Sequence, residues 1–125
     1  MKEPLTIAKA LADANRLKAL FCLREGELCL CQIIMLLRLA PATMSRHMAI
    51  LHQAGLVETR KDGRWVYYRL SKSPGSCAHG ALAWVARALP KGKGQPVDKN
   101  ALCKIRKAPQ SQLCRYYRML AKTNE

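Results

Sequence analysis

The sequence predicts a mainly α domain carrying one β-hairpin, and three observations carry that expectation. Across residues 41–56, Met44, Met48, Leu51 and Gly55 recur at the i, i+4, i+7 and i+11 spacings that return to one helix face. Across residues 56–70 the pattern changes to two β-rich runs joined by Lys61-Asp62-Gly63-Arg64, in which Asp-Gly is a strong hairpin signal. The third is the core palette: Leu, Ala, Ile and Met dominate, with one Phe and two Trp, in a chain of 125 residues that is 50% hydrophobic.

In chain order, Ile7, Ala8 and Leu11 predict a short helix over 4–11, and Asp13 is placed to cap a second. On that second helix Leu17, Leu20 and Phe21 share a face until Gly26 ends it, leaving Arg16, Lys18 and Arg24 for solvent, with both helices serving as scaffold. A third helix is expected over 27–38 with Leu30, Ile33 and Leu37 as its stripe. Ile34, Met35 and Leu36 widen that stripe beyond what a surface helix requires, so a partner or the tail is expected to cover the excess.

The fourth helix starts at Pro41, whose missing N–H costs nothing in a first turn, and ends at Gly55. Opposite its apolar face lie Ala42, Arg46, Ala49 and Gln53, flanked by Thr43 and Ser45; small side chains there let the helix approach a surface closely. In the hairpin that follows, Val66, Tyr68 and Leu70 should face inward, while Arg60, Lys61 and Arg64 cluster at a tip that can reach phosphates beside a helix seated in a major groove. The arrangement is a winged helix-turn-helix.

After a turn at Pro74-Gly75, residues 77–89 predict a helix with Leu82, Val85 and Leu89 on its stripe. Its Ala78, Ala81, Ala86 and Ala88 suit close packing in a dimer interface. Pro90 stops it, and residues 91–96 form a flexible basic linker. Two short helices follow, about 99–107 and 112–122, separated by Pro109 and with Ser111 able to cap the second. The chain thus divides into a DNA-binding and dimerisation domain over 1–90 and a basic, cysteine-bearing extension over 91–125.

Lys and Arg number 22 against 8 acidic residues, a formal net charge of +14, which favours a polyanionic partner bound in a salt-dependent way. No run approaches the ~18 apolar residues of a membrane span and the N-terminus has no signal-peptide pattern, so a cytosolic protein with reduced cysteines and no membrane partner is expected.

Of the six cysteines, Cys22 is expected in the core, whereas Cys29 and Cys31 sit two residues apart where the third helix starts. On a regular helix their side chains point about 200° apart, so one ion taking both thiolates would unwind the first turn of the helix that supports the reading helix. Thiolates select soft or thiophilic ions: Zn, Cu(I), Cd, Pb and trivalent arsenic or antimony. Cys77 and His79 are a weaker pair. Cys103 or Cys114 could supply a third thiolate to Cys29 and Cys31.

Asp13-Ala14-Asn15-Arg16-Leu17, Glu27-Leu28-Cys29-Leu30-Cys31, Ser45-Arg46-His47-Met48, Gln53-Ala54-Gly55-Leu56-Val57 and the stretch from Asp62-Gly63-Arg64 through Tyr68-Arg69-Leu70 together resemble the arsenical-resistance repressor (ArsR) family over about residues 4–89. Glu-Leu-Cys-x-Cys resembles its arsenite-sensing branch. The resemblance implies a homodimeric repressor that binds operator duplex when metal-free and releases it on binding the inducer, with no small-molecule substrate and no enzymatic activity. By position it makes Cys29 and Cys31 the inducer ligands, puts Thr43, Ser45, Arg46 and His47 on or beside the reading helix, and gives Arg60, Lys61 and Arg64 to the wing. The first helix and the one over 77–89 would form the dimer interface.

That branch often carries another cysteine three residues after the pair, where this sequence has Ile34, so the expected site is Cys29 and Cys31 with a non-protein ligand, or those two with Cys103 or Cys114. Related cadmium and lead sensors use a cysteine-bearing N-terminal arm, and the few residues before the first helix here hold no cysteine. Trivalent arsenic or antimony is therefore the expected inducer, with Cd, Pb or Zn, or a thiol redox switch, as alternatives. A thiol enzyme is disfavoured by the lack of Cys-x-x-Cys, of a phosphate-binding loop and of a βαβ pattern, while a sequence-neutral architectural protein would leave the cysteine pair unexplained.

Overall fold

The computed structural model describes residues 2–108. The order is α1 (Lys2–Leu11), α2 (Ala14–Cys22), a 3-10 turn (Leu23–Glu25), β1 (Leu28–Cys29), α3 (Leu30–Leu37), α4 (Pro41–Gln53), β2 (Val57–Asp62), β3 (Trp65–Leu70), α5 (Ser76–Ala88), a second 3-10 turn (Gly92–Gly94) and α6 (Lys99–Lys107). No helix among the described residues is long and apolar enough to cross a membrane.

Helix α4 is the centre of the packing, against α1, α2 and α3. Its Met44, Met48 and Leu51 are fully buried, as their spacing requires, and each such side chain contributes about 1.5–3 kcal/mol relative to exposure. Gly55 does not join them. It is exposed with φ +76, ending the helix in a left-handed turn that glycine adopts without a Cβ clash. Asp13 caps α2 as expected, its carboxylate accepting the N–H groups of Asn15 at 2.8 Å and Arg16 at 3.2 Å.

Arg16 is not a solvated surface cation. Its guanidinium donates to the carbonyls of Ala10 at 2.7 Å and Lys9 at 2.9 Å, terminating α1, and lies 3.1 Å from Nδ1 of His47 on α4. A periodicity argument sees only which way a residue points, and a long guanidinium can turn back to cap a neighbouring helix.

The sheet has three strands in the order β1-β3-β2, all antiparallel. The hairpin closes through the two residues Gly63 and Arg64, with Gly63 at φ +60, the first position of the tight turns that match strand twist. Tyr68 is buried, and Val66 and Leu70 pack against the core. The third strand, β1, lies where a helix was expected from residue 27. Leu28 and Cys29 pair with Tyr68 and Tyr67, so α3 begins only at Leu30. The hydrogen-bonding edge that β3 offers to these residues is a tertiary feature and overrides their helical spacing.

The chain after α5 returns to the same core. Residues 91–96, expected as a flexible linker, contain the second 3-10 turn, and Val97 and Leu102 join the buried cluster. Helix α6 has the bounds expected for it, is capped by Asp98, and packs along α3. This covers the wide apolar surface of α3. The second tail helix, Ser111 and Cys114 lie outside the described residues.

Candidate functional site

Two regions hold the residues singled out by the sequence: the turn at the start of α3 and the outer face of α4 with the hairpin beside it.

Cys29 is the N-cap of α3, with extended backbone at φ −81 and ψ 159. It forms a capping box in which sulfur replaces the usual hydroxyl. Its side chain accepts the N–H of Gln32, and the Gln32 side-chain oxygen accepts the N–H of Cys29 at 2.8 Å. Cys-x-x-Gln reads as this box once cysteine is admitted beside serine and threonine, a signal that was present in the sequence. Because Cys29 stands outside the helix, the expected 200° divergence from Cys31 does not arise. The Cys31 thiol hydrogen-bonds to the Cys29 sulfur, and no unwinding is needed to bring the two sulfurs together.

The electrostatic consequence is large. The hydrogen bond from Cys31, opposed by burial and aided by the N–H groups of Gln32 and Cys31, lowers the Cys29 thiol from 9.0 to about 7. Cys22, enclosed by the core, is instead pushed up to about 12 by burial, against a smaller opposing effect of the Arg106 charge. Cys22 is a packing residue. The turn at α3 offers two thiols, one poised to ionise near neutrality, which is the donor set a thiophilic ion requires.

No third Cys, His, Asp or Glu completes a metal cluster among the described residues. Cys103 is exposed on α6, and the structure does not bring it to the pair. Cys77 and His79 are exposed on α5. Ile34, three residues after the pair, is fully buried in the core.

On α4, Ala42, Thr43, Ser45, Arg46 and Gln53 are all exposed, and Ala49 with them. His47 is half-buried and held against Arg16. The helix begins with N-cap Ala40, which makes no side-chain cap, and its first turn carries no acidic residue. Its leading N–H groups therefore remain open to an anion. Lys61 and Arg64 are exposed at the hairpin tip.

Arg60 stands apart from them. It makes a two-pronged ion pair with Glu27 at 2.7 and 2.8 Å and stacks its guanidinium 4.2 Å from the Tyr67 ring centroid. The hydrogen bond from Arg60 holds the Glu27 carboxyl below its ordinary range, outweighing a small effect of burial. The Glu27–Arg60 pair and the Cys29–Tyr67 register join the thiol turn to the hairpin. Neither Arg16 nor Glu27 was singled out from the sequence as a partner of these groups, since each contact spans about thirty residues.

The sequence profile described as "Bacterial regulatory protein, arsR family" matches residues 13–59. The arsenic resistance transcriptional regulator ArsR2 of Pseudomonas putida is 32% identical over 115 residues, covering 82% of this chain and 100% of that protein. The chain belongs to the arsR family. Within it, the arsenic resistance transcriptional regulator ArsR1 of Pseudomonas putida is 46% identical over 74 residues, 56% of this chain and 58% of that one, so the arsR-family chain spans under three-fifths of this relative's length. Among solved structures, the homodimeric winged helix-turn-helix DNA-binding domain Mb0332 of Mycobacterium bovis superposes with a TM-score of 0.59 at 30% identity, covering 69% of this chain and 77% of that domain. The winged helix-turn-helix is thus the fold of the arsR-family chain in both its elements and its neighbours.

Proposed function

We propose that the chain is a homodimeric transcriptional repressor that holds operator DNA through α4 and the hairpin and releases it when trivalent arsenic or antimony binds Cys29 and Cys31. The observation that carries the reading is the pair of thiols formed by Cys29, the N-cap of α3 at the end of a strand hydrogen-bonded to the hairpin, and Cys31 in the first turn of α3. The names of the two relatives, both arsenic resistance regulators, support it.

Four exposed side chains on α4, Thr43, Ser45, Arg46 and Gln53, together with the small Ala42, form the reading face, and His47 is positioned by Arg16. The uncapped N-terminus of α4, Lys61 and Arg64 take phosphates, with Arg60 available once it leaves Glu27. Two thiolates suit trivalent arsenic or antimony, which keep a non-protein ligand; Cd, Pb and Zn favour more protein ligands than the described residues bring together. Once both sulfurs are committed to an ion, the hydrogen bond from the Cys31 thiol is gone and Cys29 has fewer lone pairs for the N–H of Gln32. The sulfur half of the cap on the helix supporting α4 is weakened while Gln32 still accepts the Cys29 N–H, and the operator-bound arrangement is disfavoured.

The test is fluorescence anisotropy of the reduced protein on its own upstream DNA and on a scrambled duplex, with arsenite, antimonite, cadmium or zinc added in turn. Specific binding reversed by arsenite or antimonite is expected. Specific binding indifferent to every ion would overturn the inducer assignment and turn attention to thiol oxidation. Equal affinity for both duplexes would overturn the repressor reading.

A further inference from the structure

Helix α6 lies beyond the residues matched by the family profile, and its last turn carries three cations. Lys104 and Lys107 are exposed, as a solvated helix face would be, but Arg106 turns inward. Its guanidinium donates to three backbone carbonyls, Cys22 at 3.0 Å, Gly26 at 3.1 Å and Glu27 at 3.1 Å, and its Nε is buried without a partner. These carbonyls lie on the turn that delivers the chain into β1 and Cys29. Gly26, at φ +144, holds a backbone conformation that side chains disfavour, and Arg106 Nη1 would stand 3.6 Å from a Cβ added there.

The preceding residue of α6 reaches the opposite side of the same cysteine. The Ile105 carbonyl accepts from the Gln32 side-chain nitrogen at 3.3 Å, while the other end of that amide accepts the Cys29 N–H at 2.8 Å. Two consecutive residues of α6 therefore bracket Cys29, Arg106 through the carbonyl of Glu27 before it and Ile105 through Gln32 after it. Leu102 anchors the helix in the core four residues before Arg106, on the same face. Leaving one charged nitrogen buried and unpaired is costly, and the outlay is accounted for if the other two must fix this turn.

We infer that α6 is a clasp on the thiol turn, in which Arg106 is a positioning residue that sets Cys29 for joint use with Cys31, while Gln32 links the Ile105 carbonyl to the Cys29 N–H. The inference rests on the thiol pair being the inducer site, and it assigns to the C-terminal extension a part in inducer affinity that needs neither of its cysteines. Supporting groups of this kind commonly change affinity about 10- to 100-fold at metal sites.

The probe is phenylarsine oxide, whose trivalent arsenic condenses with two thiols. Two As–S bonds form, the As–oxygen double bond and two S–H bonds break, and the oxygen leaves as water with no change of oxidation state. The reduced full chain, Arg106→Gln and Arg106→Lys are titrated with it, and amide hydrogen exchange is followed at Cys29 and at Met44 and Met48 in α4. Arg106→Gln is expected to bind the arsenical about 10-fold more weakly and to lose protection at the Cys29 amide while the α4 amides keep theirs, and Arg106→Lys should recover part of the affinity.

Equal affinity in the full chain and Arg106→Gln, or a loss of protection spread equally over α4, would overturn the clasp. Failure of the full chain itself to bind the arsenical would instead overturn the inducer site on which it rests. Should Arg106→Gln not fold, Gln32→Glu keeps the acceptor for the Cys29 N–H and removes only the donor to the Ile105 carbonyl; weaker arsenical binding is expected from it, and unchanged binding overturns the clasp.

Discussion

The outer face of α4 and the turn at the start of α3 are opposites in their bonding. On α4, Thr43, Ser45, Arg46 and Gln53 make no side-chain hydrogen bond or ion pair with any described residue. At the α3 turn the Cys29 amide and sulfur, both ends of the Gln32 amide and the Glu27 carbonyl all have partners. A surface that reads a duplex must leave its groups available, because a donor already satisfied within the fold has little to gain from a base edge. A site for one small ion needs its two sulfurs set before the ion arrives, since ordering them afterwards subtracts from affinity.

The sharpest way to break this contrast is to alter one side of it and watch the other. Cys29→Ser is expected to weaken trivalent arsenic binding by about 100-fold or more while operator affinity stays within a few-fold, as read by anisotropy with and without arsenite. An operator complex of this variant that arsenite still dissolves would remove Cys29 from the sensor. Arg46→Ala should do the reverse, costing about 1–3 kcal/mol of operator binding with arsenite binding unchanged. If Arg46→Ala leaves operator affinity intact, the reading face lies elsewhere on the molecule.

Acidity sharpens the comparison between cysteines. The ultraviolet absorbance of thiolate, taken as the difference between the parent and Cys29→Ser, should rise as pH passes through about 7, whereas Cys22, pushed up to about 12, contributes none until the protein unfolds. The sign for stability follows from the same shift. The folded Cys29 thiol titrates at about 7 against 9.0 for an unperturbed thiol. Its ionisation therefore contributes stability that is fully present above 9.0 and is lost as pH falls through 7. A thermal-unfolding series in which Cys29→Ser and the parent differ equally at every pH would contradict this.

A smaller effect is expected at Glu27. Its pair with Arg60 is partly exposed, and such pairs contribute little to stability, so a DNA phosphate can displace the carboxylate. Glu27→Gln should raise duplex affinity a few-fold and steepen the logarithmic salt dependence by about 0.9, the increment for one more phosphate contact. An unchanged slope would leave Arg60 as a strut between thiol turn and hairpin. Smallest of all is Arg38, which ends α3 in the left-handed conformation at φ 56. Arg38→Gly relieves that strain at some cost in chain entropy, for a net gain of about 0.5 kcal/mol measurable by denaturant unfolding.

The two regions also differ in how far they could be read beforehand. The faces of α4, the hairpin and its turn, the cap at Asp13 and the bounds of α6 follow from local rules: the 3.6-residue period, the Asp-Gly signal and capping chemistry act between residues a few positions apart. The contents of the thiol turn do not. Residue spacing put Cys29 and Cys31 on diverging helical directions, and only the edge of β3, nearly forty residues later, draws Leu28 and Cys29 into a strand and makes Cys29 a cap. Arg16 read as a solvent cation and Arg60 as a phosphate ligand, and nothing local marked Arg106; their partners at His47, Glu27 and the Gly26 turn are set beside them only by the fold.

Among the described residues the sequence by itself determined the helices apart from the start of α3, which face of α4 is buried, where the hairpin turns and that a pair of thiols stands at the head of α3. Only the tertiary structure decided that the two sulfurs meet, that the pair ionises near neutrality, and which arginines are committed to the fold. The reason is one of range. Periodicity and capping are settled within a turn or two of chain, whereas the partner of a long charged side chain or of a strand edge is fixed only when the whole core has packed.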